Sequence, residues 1–394
     1  MLANSSAHGL PHLVSDKPLL AKVIWTIAIL ASFIGGLIFI FSSILEYYHY
    51  DIVTSIRIRD APSLEYPAVT FCAYNSVNSS IKENLNLTMI KECRFSAKLC
   101  DMTYFKEIQI LQAGQYQACL QFNSKQIDSD LEILNVTKAG FSQSLAIDFD
   151  LSPDLLVYFS IENNDHLALY NNFGSQLEIG KTNYKSIEKI VTKTLGKPFN
   201  DCIEDPEKTY SDIHNKNFPK YSYRRENCFE FCLHENFKIK CNCSLSEDKD
   251  SGLEKCVRYS NCFREFIATF NHMKNCNSSC PTECNDTNFK ITHASEFNIM
   301  FPGLMYSEPK NISNFDKNRT RQIYLYYQQL RYTEIIQIPK ITITNLVSNI
   351  GGTLSLFLGL SLLSLIEFLE FMELFTNLSF LLNGLKKRVT KKNS

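Results

Sequence analysis

Gly351-Gly352-Thr353-Leu354-Ser355-Leu356-Phe357-Leu358-Gly359-Leu360-Ser361, running on through Leu362-Leu363-Ser364-Leu365-Ile366 to Glu367, decides how the chain is read. It is the centre of a 26-residue stretch, Ile341 to Ile366, that carries no charge. About 20 such residues span about 30 Å of hydrocarbon as a helix. Glycines and serines inside a spanning segment suit close helix packing or backbone that faces a cavity. Glu367 is the first charge after the apolar run, and an ionisable group at membrane depth marks an ion or substrate pathway. The stretch reads as a pore helix.

One further segment is long enough to span. Val23 to Leu45 is 23 uncharged residues, with Trp25 near one end and Tyr47 and Tyr48 past the other, an aromatic-belt arrangement. A cleaved signal peptide is the alternative, but its apolar region runs only about 7–15 residues. After the second span come Lys386-Lys387-Arg388 and Lys391-Lys392, a basic cluster that reads as cytoplasmic. Two spans put the amino end on the same side, and the 295 residues from 46 to 340 outside.

Cysteines and sequons agree with that topology. All 14 cysteines lie between Cys72 and Cys284, an even number confined to one compartment, which reads as a disulfide framework. Asn-x-Ser/Thr sequons stand in the same region at Asn78, Asn86, Asn135, Asn242, Asn277, Asn285, Asn311 and Asn318. Each is a glycosylation acceptor only if luminal and exposed. Asn242, between Cys241 and Cys243, is crowded and is left out of the expected set.

Other classes fall away on chemistry. A net charge of −1 with 21% charged residues gives no basic surface for nucleic acid. Cys228-x3-Cys232, Cys241-x-Cys243 and Cys276-x3-Cys280-x3-Cys284 invite a zinc reading, but no His holds a matching position and an oxidising compartment favours disulfides, so no metal is expected. The glycine and serine motifs sit in an apolar span, not on a strand–turn–helix elbow, so no enzyme and no cofactor is expected.

The middle region reads as mixed α and β in one unit. Leu156 to Glu162 alternates, with Val157, Phe159 and Ile161 on one face, predicting a half-buried strand. Pro67 to Asn75, Gln115 to Asn123 and Tyr324 to Ile338 read as strands as well. Lys185 to Leu195 has helical spacing at Ile187, Ile190 and Val191. Cys228 to Cys284 reads as a compact helical or loop-rich module stapled by bridges.

Taken in order, these features resemble the degenerin/epithelial sodium channel/acid-sensing ion channel superfamily. His8-Gly9 is similar to its cytoplasmic gating motif, and Pro67-Ala68-Val69-Thr70-Phe71-Cys72 with Asn75 to its signature after the first span. Cys93-x6-Cys100, Cys119-Leu120-Gln121-Phe122-Asn123-Ser124, Tyr223-x4-Cys228-x3-Cys232-x8-Cys241-Asn242-Cys243, and Gly351-Gly352, Gly359-Leu360-Ser361 and Glu367 match in order after it. The resemblance implies an α+β membrane protein: a trimer whose subunits have two transmembrane helices flanking a disulfide-rich extracellular domain with a β-sheet palm, a helical thumb and a reduced finger. The segments are then 1–18 cytoplasmic, 19–45 first span, 46–340 extracellular, 341–374 pore span and 375–394 basic cytoplasmic tail.

It also implies roles. The pairing becomes Cys72–Cys119, Cys93–Cys100, Cys202–Cys284, Cys228–Cys280, Cys232–Cys276, Cys241–Cys262 and Cys243–Cys256. Gly359, Leu360 and Ser361 become the selectivity filter, with Leu360 in place of a small central residue. Ser348 and Asn349 with Gly351 and Gly352 become the gate, Asn349 standing where relatives carry an acid. Glu367 and Glu370 become rings of pore acids. Tyr50 and Phe199 become the wrist contact between spans and thumb. Asp51 and Ile52 stand where proton-sensing relatives have a His pair, and the interval from Cys72 to Cys93 is short, so acid gating is not implied. Neither is ubiquitin-ligase retrieval, since the tail has no Pro-Pro-x-Tyr.

The function so implied is a voltage-insensitive, ligand- or force-gated, amiloride-sensitive sodium channel subunit of the plasma membrane, with sodium as permeant ion. Its partners would be related subunits in a homo- or hetero-trimer, the lipid bilayer, and an extracellular ligand or a matrix or cytoskeletal tether. Two alternatives stand beside it: a non-conducting accessory subunit and a trimeric channel of the ATP-gated type.

Overall fold

The computed structural model describes residues 18–75, 85–112, 115–125, 132–166, 175–204, 222–243, 261–299, 304 and 316–359. They belong to two compact units, one formed by the terminal segments up to Val53 and from Pro339, the other by Thr54–Ile338.

In the first unit α1 spans Leu19–Tyr48, 30 residues, or about 45 Å at about 1.5 Å per residue. It is long and apolar enough to cross a membrane, with a mean hydropathy of 2.5 over its best window. Gly36 is its one buried residue, while Leu20, Ile24, Ile27, Phe33, Leu37 and Phe41 are exposed. That is the surface expected of a helix solvated by lipid rather than by protein.

The second unit is built on two sheets, and its strands in chain order are these. β1 is Ile52–Asp60, β2 Leu64–Glu65, β3 Ala68–Asn75, β4 Ile90–Phe95, β5 Lys98–Leu99, β6 Phe105–Gln112, β7 Gln115–Phe122 and β8 Asn135–Val136. β9 is Leu145–Asp150, β10 Leu155–Glu162, β11 Ser175–Gln176, β12 Lys181–Lys193, β13 Cys202–Ile203, β14 Thr282–Glu283, β15 Asn285–Asn298 and β16 Thr320–Pro339. The larger sheet has the order β15-β12-β16-β9-β4-β5, with β1 also pairing β16. The smaller has the order β11-β10-β3-β7-β6, and β13–β14 and β2–β8 form separate pairs.

Phe71, Phe122, Phe149, Phe159, Leu145, Ile147, Ile323 and Leu325 from both sheets make one core. Tyr66 lies in it fully buried, its hydroxyl donating to Leu325 O at 2.9 Å. Burial pushes that phenol well above its ordinary range.

Two sequence readings are corrected here. Lys185 to Leu195 is not helical but part of β12, which is antiparallel to β15 and parallel to β16. A register shift against β16 between Ile187 and Lys189 resets the two-residue alternation, so Ile187 on one side and Ile190 and Val191 on the other mimic a helical period. β-Branched Ile187, Ile190, Val191 and Thr192 suit the strand. β10 is also more than half-buried. Its apolar face holds Val157 and Phe159, but Ser160 and Glu162 on the other face are buried too.

The cysteine-rich segment forms helices α2, Arg225–Cys241, α3, Asn261–Thr269, and α4, His272–Cys276. Cys228–Cys280 and Cys232–Cys276, one turn apart on α2, tie it to the chain on either side of α4's end. Cys241–Cys262 ties α2 to α3. Phe237 and Phe266 fill the space between α2 and α3 edge to face, 5.0 Å apart. The remaining bridges are Cys72–Cys119 within the smaller sheet, Cys93–Cys100 and Cys202–Cys284. Cys243 is also disulfide-bonded, and Cys256 lies outside the described residues.

Candidate functional site

The last described element is α5, Ile343–Leu358. Thr342 caps it, accepting from Asn345 N–H at 3.2 Å. It stops at Gly359, whose φ of 63° is left-handed and whose N–H donates to Ser355 O at 3.0 Å. Only glycine takes that conformation without strain, so the chain turns out of the helix where the Gly-Leu-Ser tripeptide begins.

At about 100° per residue, Ser348, Gly352, Ser355 and Gly359 fall along one stripe of α5, and Phe357 lies opposite. Burial follows the same division. Ser348, Asn349, Gly351, Gly352 and Ser355 are exposed, while Leu346, Ile350, Leu354 and Phe357 are partly covered. Phe357 packs on the small-residue face of α1: a Cβ added to Gly35 would stand 3.0 Å from its ring, and one on Gly36 3.4 Å from its Cβ. Phe39 lies 5.5 Å away, ring to ring. Gly351 and Gly352 differ, because a Cβ on either would meet open space among the described residues.

The carboxyl end of α1 and the amino end of α5 are tied by Lys340. Its Nζ lies 2.9 Å from Glu46 and 3.3 Å from Asp51, and its N–H donates to Asp51 O at 2.9 Å. Tyr50 has a left-handed φ of 53° and packs edge to face on Tyr48, 6.2 Å away. In the other unit Phe199 sits in a turn, its N–H donating to Gly196 O at 3.0 Å.

A second constellation lies at the base of α2. Arg224 forms ion pairs with Glu162 of β10 and with Glu226, the latter at 3.1 Å, and donates to Asn288 of β15 at 2.8 Å. Ser222 Oγ donates to Asp165 at 2.8 Å, and Tyr223 OH to Pro281 O at 2.7 Å. Next to them is a cavity of about 310 Å³ whose lining includes Asp165, His166, Lys193, Tyr223, Glu283 and Asp286. Burial pushes the Glu283 carboxyl up, the charges of Glu226 and Asp286 add to this, and it stands at about 7. Burial pulls the His166 imidazole down, with Arg224 acting in the same direction against Asp165. Sequence reasoning missed this cluster: Glu283 and Asp286 flank Cys284 and were absorbed into the cysteine pattern.

Of the other predicted positions, Asn135, Asn277, Asn285 and Asn318 are exposed and Asn86 is partly so. Asn242 is exposed too, at the left-handed end of α2, so the crowding inferred from its flanking cysteines is not seen. His8, Gly9, Asn78, Asn311, Leu360, Ser361, Glu367 and Glu370 lie outside the described residues. No group of three or more His, Cys, Asp or Glu side chains able to hold a metal occurs among the described residues.

A profile of the amiloride-sensitive sodium channel family matches residues 1–88 and 80–371. The chain belongs to this family. It is similar to the bile acid-sensitive ion channel of Rattus norvegicus, 24% identical over 438 residues that cover 94% of this chain and 86% of the relative. It is also similar to acid-sensing ion channel 1B of Danio rerio, 22% identical, covering 93% and 75% of the two chains. Epithelial sodium channel subunit alpha of Cavia porcellus is 26% identical over 71% of this chain and 43% of its own length. Its relatives are ion channels, and the family match sets aside the ATP-gated reading.

Proposed function

We propose that this chain is a pore-forming subunit of a voltage-insensitive, sodium-selective cation channel of the plasma membrane. It crosses the bilayer twice, has both ends in the cytoplasm, and assembles with two related or identical subunits. An extracellular ligand, or force through a tether, opens it, and amiloride blocks it. One observation carries this reading. The helix that begins just after Lys340 breaks at Gly359, the first residue of the tripeptide, and its small-residue stripe faces away from α1. Three such stripes around an axis would line a narrow path with backbone and hydroxyl oxygens, able to replace an ion's hydration water. Broken backbone at membrane depth is tolerated where it lines a water-filled space.

Ser348→Trp tests it. A bulky side chain on the small stripe should hold three helices apart and give a standing inward sodium current, blocked by amiloride and reduced when potassium replaces sodium. A surface-delivered mutant with no extra current overturns the gate assignment. Silence of wild type and mutant together, with normal delivery, favours the accessory role, to which the bulky Leu360 points.

A further inference from the structure

The base of α2 is a joint. Arg224, just before the helix, reaches Glu162 on the smaller sheet and Asn288 on the larger, and Tyr223 OH donates to Pro281 O. Beside these contacts stands the cavity of about 310 Å³. That is the lower end of the range for sites that take small organic molecules, roughly 300–1,000 Å³. Its wall combines the apolar surfaces of Val191 and Tyr223 with the carboxyl groups of Asp165, Glu283 and Asp286. Such a mixture of an apolar wall and a few polar groups is what an organic ligand needs.

The acids lack donors on the cavity side. Asp165 and Asp286 each have one carboxylate oxygen bonded, to Ser222 and to Asn288. Their other oxygens, and Glu283 Oε2, are buried and accept no hydrogen bond among the described residues. His166 Nε2 stays 3.7 Å from Asp165, and Lys193 is engaged with Glu334 at 3.0 Å. The three acids do not converge closely enough to ligate one metal ion. An occupant that brings several O–H and N–H donors would satisfy them without adding charge. The sequence names such an occupant. Asn285-Asp286-Thr287 is an acceptor sequon, all three of its residues are on the cavity wall, and Asn285 is exposed. The sequons at Asn86, Asn135, Asn242, Asn277 and Asn318 are not on that wall.

We propose that this cavity seats the first sugar of an N-linked glycan on Asn285, and that the sugar braces the joint. The hydroxyl and acetamido donors of that N-acetylglucosamine meet the free oxygens of Glu283, Asp286 and Asp165, and its ring lies along Val191 and Tyr223. In the attachment the anomeric carbon of a lipid-linked oligosaccharide breaks its bond to the diphosphate and bonds to Asn285 Nδ2. The amide gives up one proton and the lipid diphosphate leaves. Two or three hydrogen bonds gained in this way should slow local opening of the joint by about tenfold. The inference rests on the extracellular placement of residues 46–340 in the proposed function, and its test does not read current.

The full chain, made in cells that leave glycans in the oligomannose form and held in detergent micelles, is compared in three forms at one pH. One is intact, one is trimmed by endoglycosidase to a single N-acetylglucosamine per site, and one carries Asn285→Gln. Glycopeptide mass spectrometry should find Asn285 occupied. Amides over 163–166, 222–228 and 283–288 should exchange alike in the first two forms and about tenfold faster in the third, with 145–150 unchanged. Asp286→Ala keeps the sequon and should remove much of the difference between sugared and sugar-free chains. Should Asn285→Gln not fold, Thr287→Ser, a weaker acceptor, yields sugared and bare molecules in one sample for the same comparison. A bare Asn285 beside occupied Asn135, Asn277 or Asn318 would overturn the seat and leave the topology standing, whereas bare sequons throughout would overturn both. Equal exchange in all three forms, a trimmed chain that exchanges like Asn285→Gln, or an undiminished difference in Asp286→Ala would each overturn the seat alone.

Discussion

Two buried polar clusters in the unit Thr54–Ile338 differ in one respect. Around Tyr66 the polar groups are paired: Asn123 and Asn164 both donate to Tyr66 O, at 2.6 and 2.9 Å, and Asn123 Oδ1 accepts from Leu134 N–H at 3.0 Å. Around Glu283, oxygens of Glu283, Asp286 and Asp165 are buried without a hydrogen bond among the described residues. A satisfied buried network favours a single arrangement, and a half-satisfied one leaves its elements free to rearrange at small cost. The first cluster joins strands that must stay together. The second joins the stapled helices to those strands.

The largest effect should come from breaking the satisfied cluster. Asn123 is fully buried at a left-handed φ of 56°, a conformation asparagine tolerates better than most residues. Asn123→Ala leaves Leu134 N–H without its acceptor and Tyr66 O with one donor, and adds backbone strain. It should cost about 3 kcal/mol, seen as a lower unfolding midpoint of the detergent-solubilised chain. A loss under about 1 kcal/mol would mean the network adds little and the contrast with the joint is false.

Next comes the staple. Cys232→Ser with Cys276→Ser removes the inner of two nested bridges while Cys228–Cys280 remains. The loop that the inner bridge closes is then only about ten residues, so the cost should be about 2–3 kcal/mol. It should appear as faster hydrogen exchange confined to the α2 and α4 segments, with the sheet amides unchanged. Spread of the effect into β12 and β16 would show that helices and sheets open as one unit rather than across a joint.

How far these features could be read in advance follows from their physics. The apolar runs are long, so hydropathy finds α1 and the apolar helix α5 without tertiary information. The helix end at Gly359 was not singled out by glycine alone, since Gly351 and Gly352 in the same run stay helical. β12 was not legible, since its register shift against β16 after Ile187 disturbs the alternation on which strand reading depends. Glu162 read as solvent-facing because nothing in β10 itself tells of Arg224, 62 residues further on. Glu283 was hidden for the same reason. Its state depends on Glu226, Asp286 and burial, and an acid beside a cysteine in sequence shows none of these.

A smaller effect tests the unit formed by α1 and α5. Gly35 leaves room for the Phe357 ring, and a Cβ there would already stand at 3.0 Å. Gly35→Leu should cost about 1–2 kcal/mol through overpacking. Phe357→Ala should recover most of that in the double mutant, as a thermal double-mutant cycle would report. Additive losses would mean the two helices do not meet through this notch.

The smallest effect separates two acids by sign. Burial pushes the Asp150 carboxyl up, but hydrogen bonds from Arg319 at 2.8 Å and Lys91 at 3.3 Å outweigh it and hold it below the ordinary range. A depressed carboxyl contributes stability that is present above its unfolded pKa and lost as pH falls through the folded one. Glu283 is raised to about 7, so its contribution is fully present below the unfolded carboxylate range and lost as pH rises towards 7. The two should therefore tilt the stability profile in opposite directions and in different windows, Asp150 below about pH 4 and Glu283 between about pH 4.5 and 7. The Asp150 term should be slight, since its side chain is a third exposed and solvent screens the pair. Thermal unfolding from pH 3 to 8 for Asp150→Asn and Glu283→Gln checks this. Each substitution should flatten the profile only in its own window, and a common window for both would show that the sheet edge and the joint respond to protons as one.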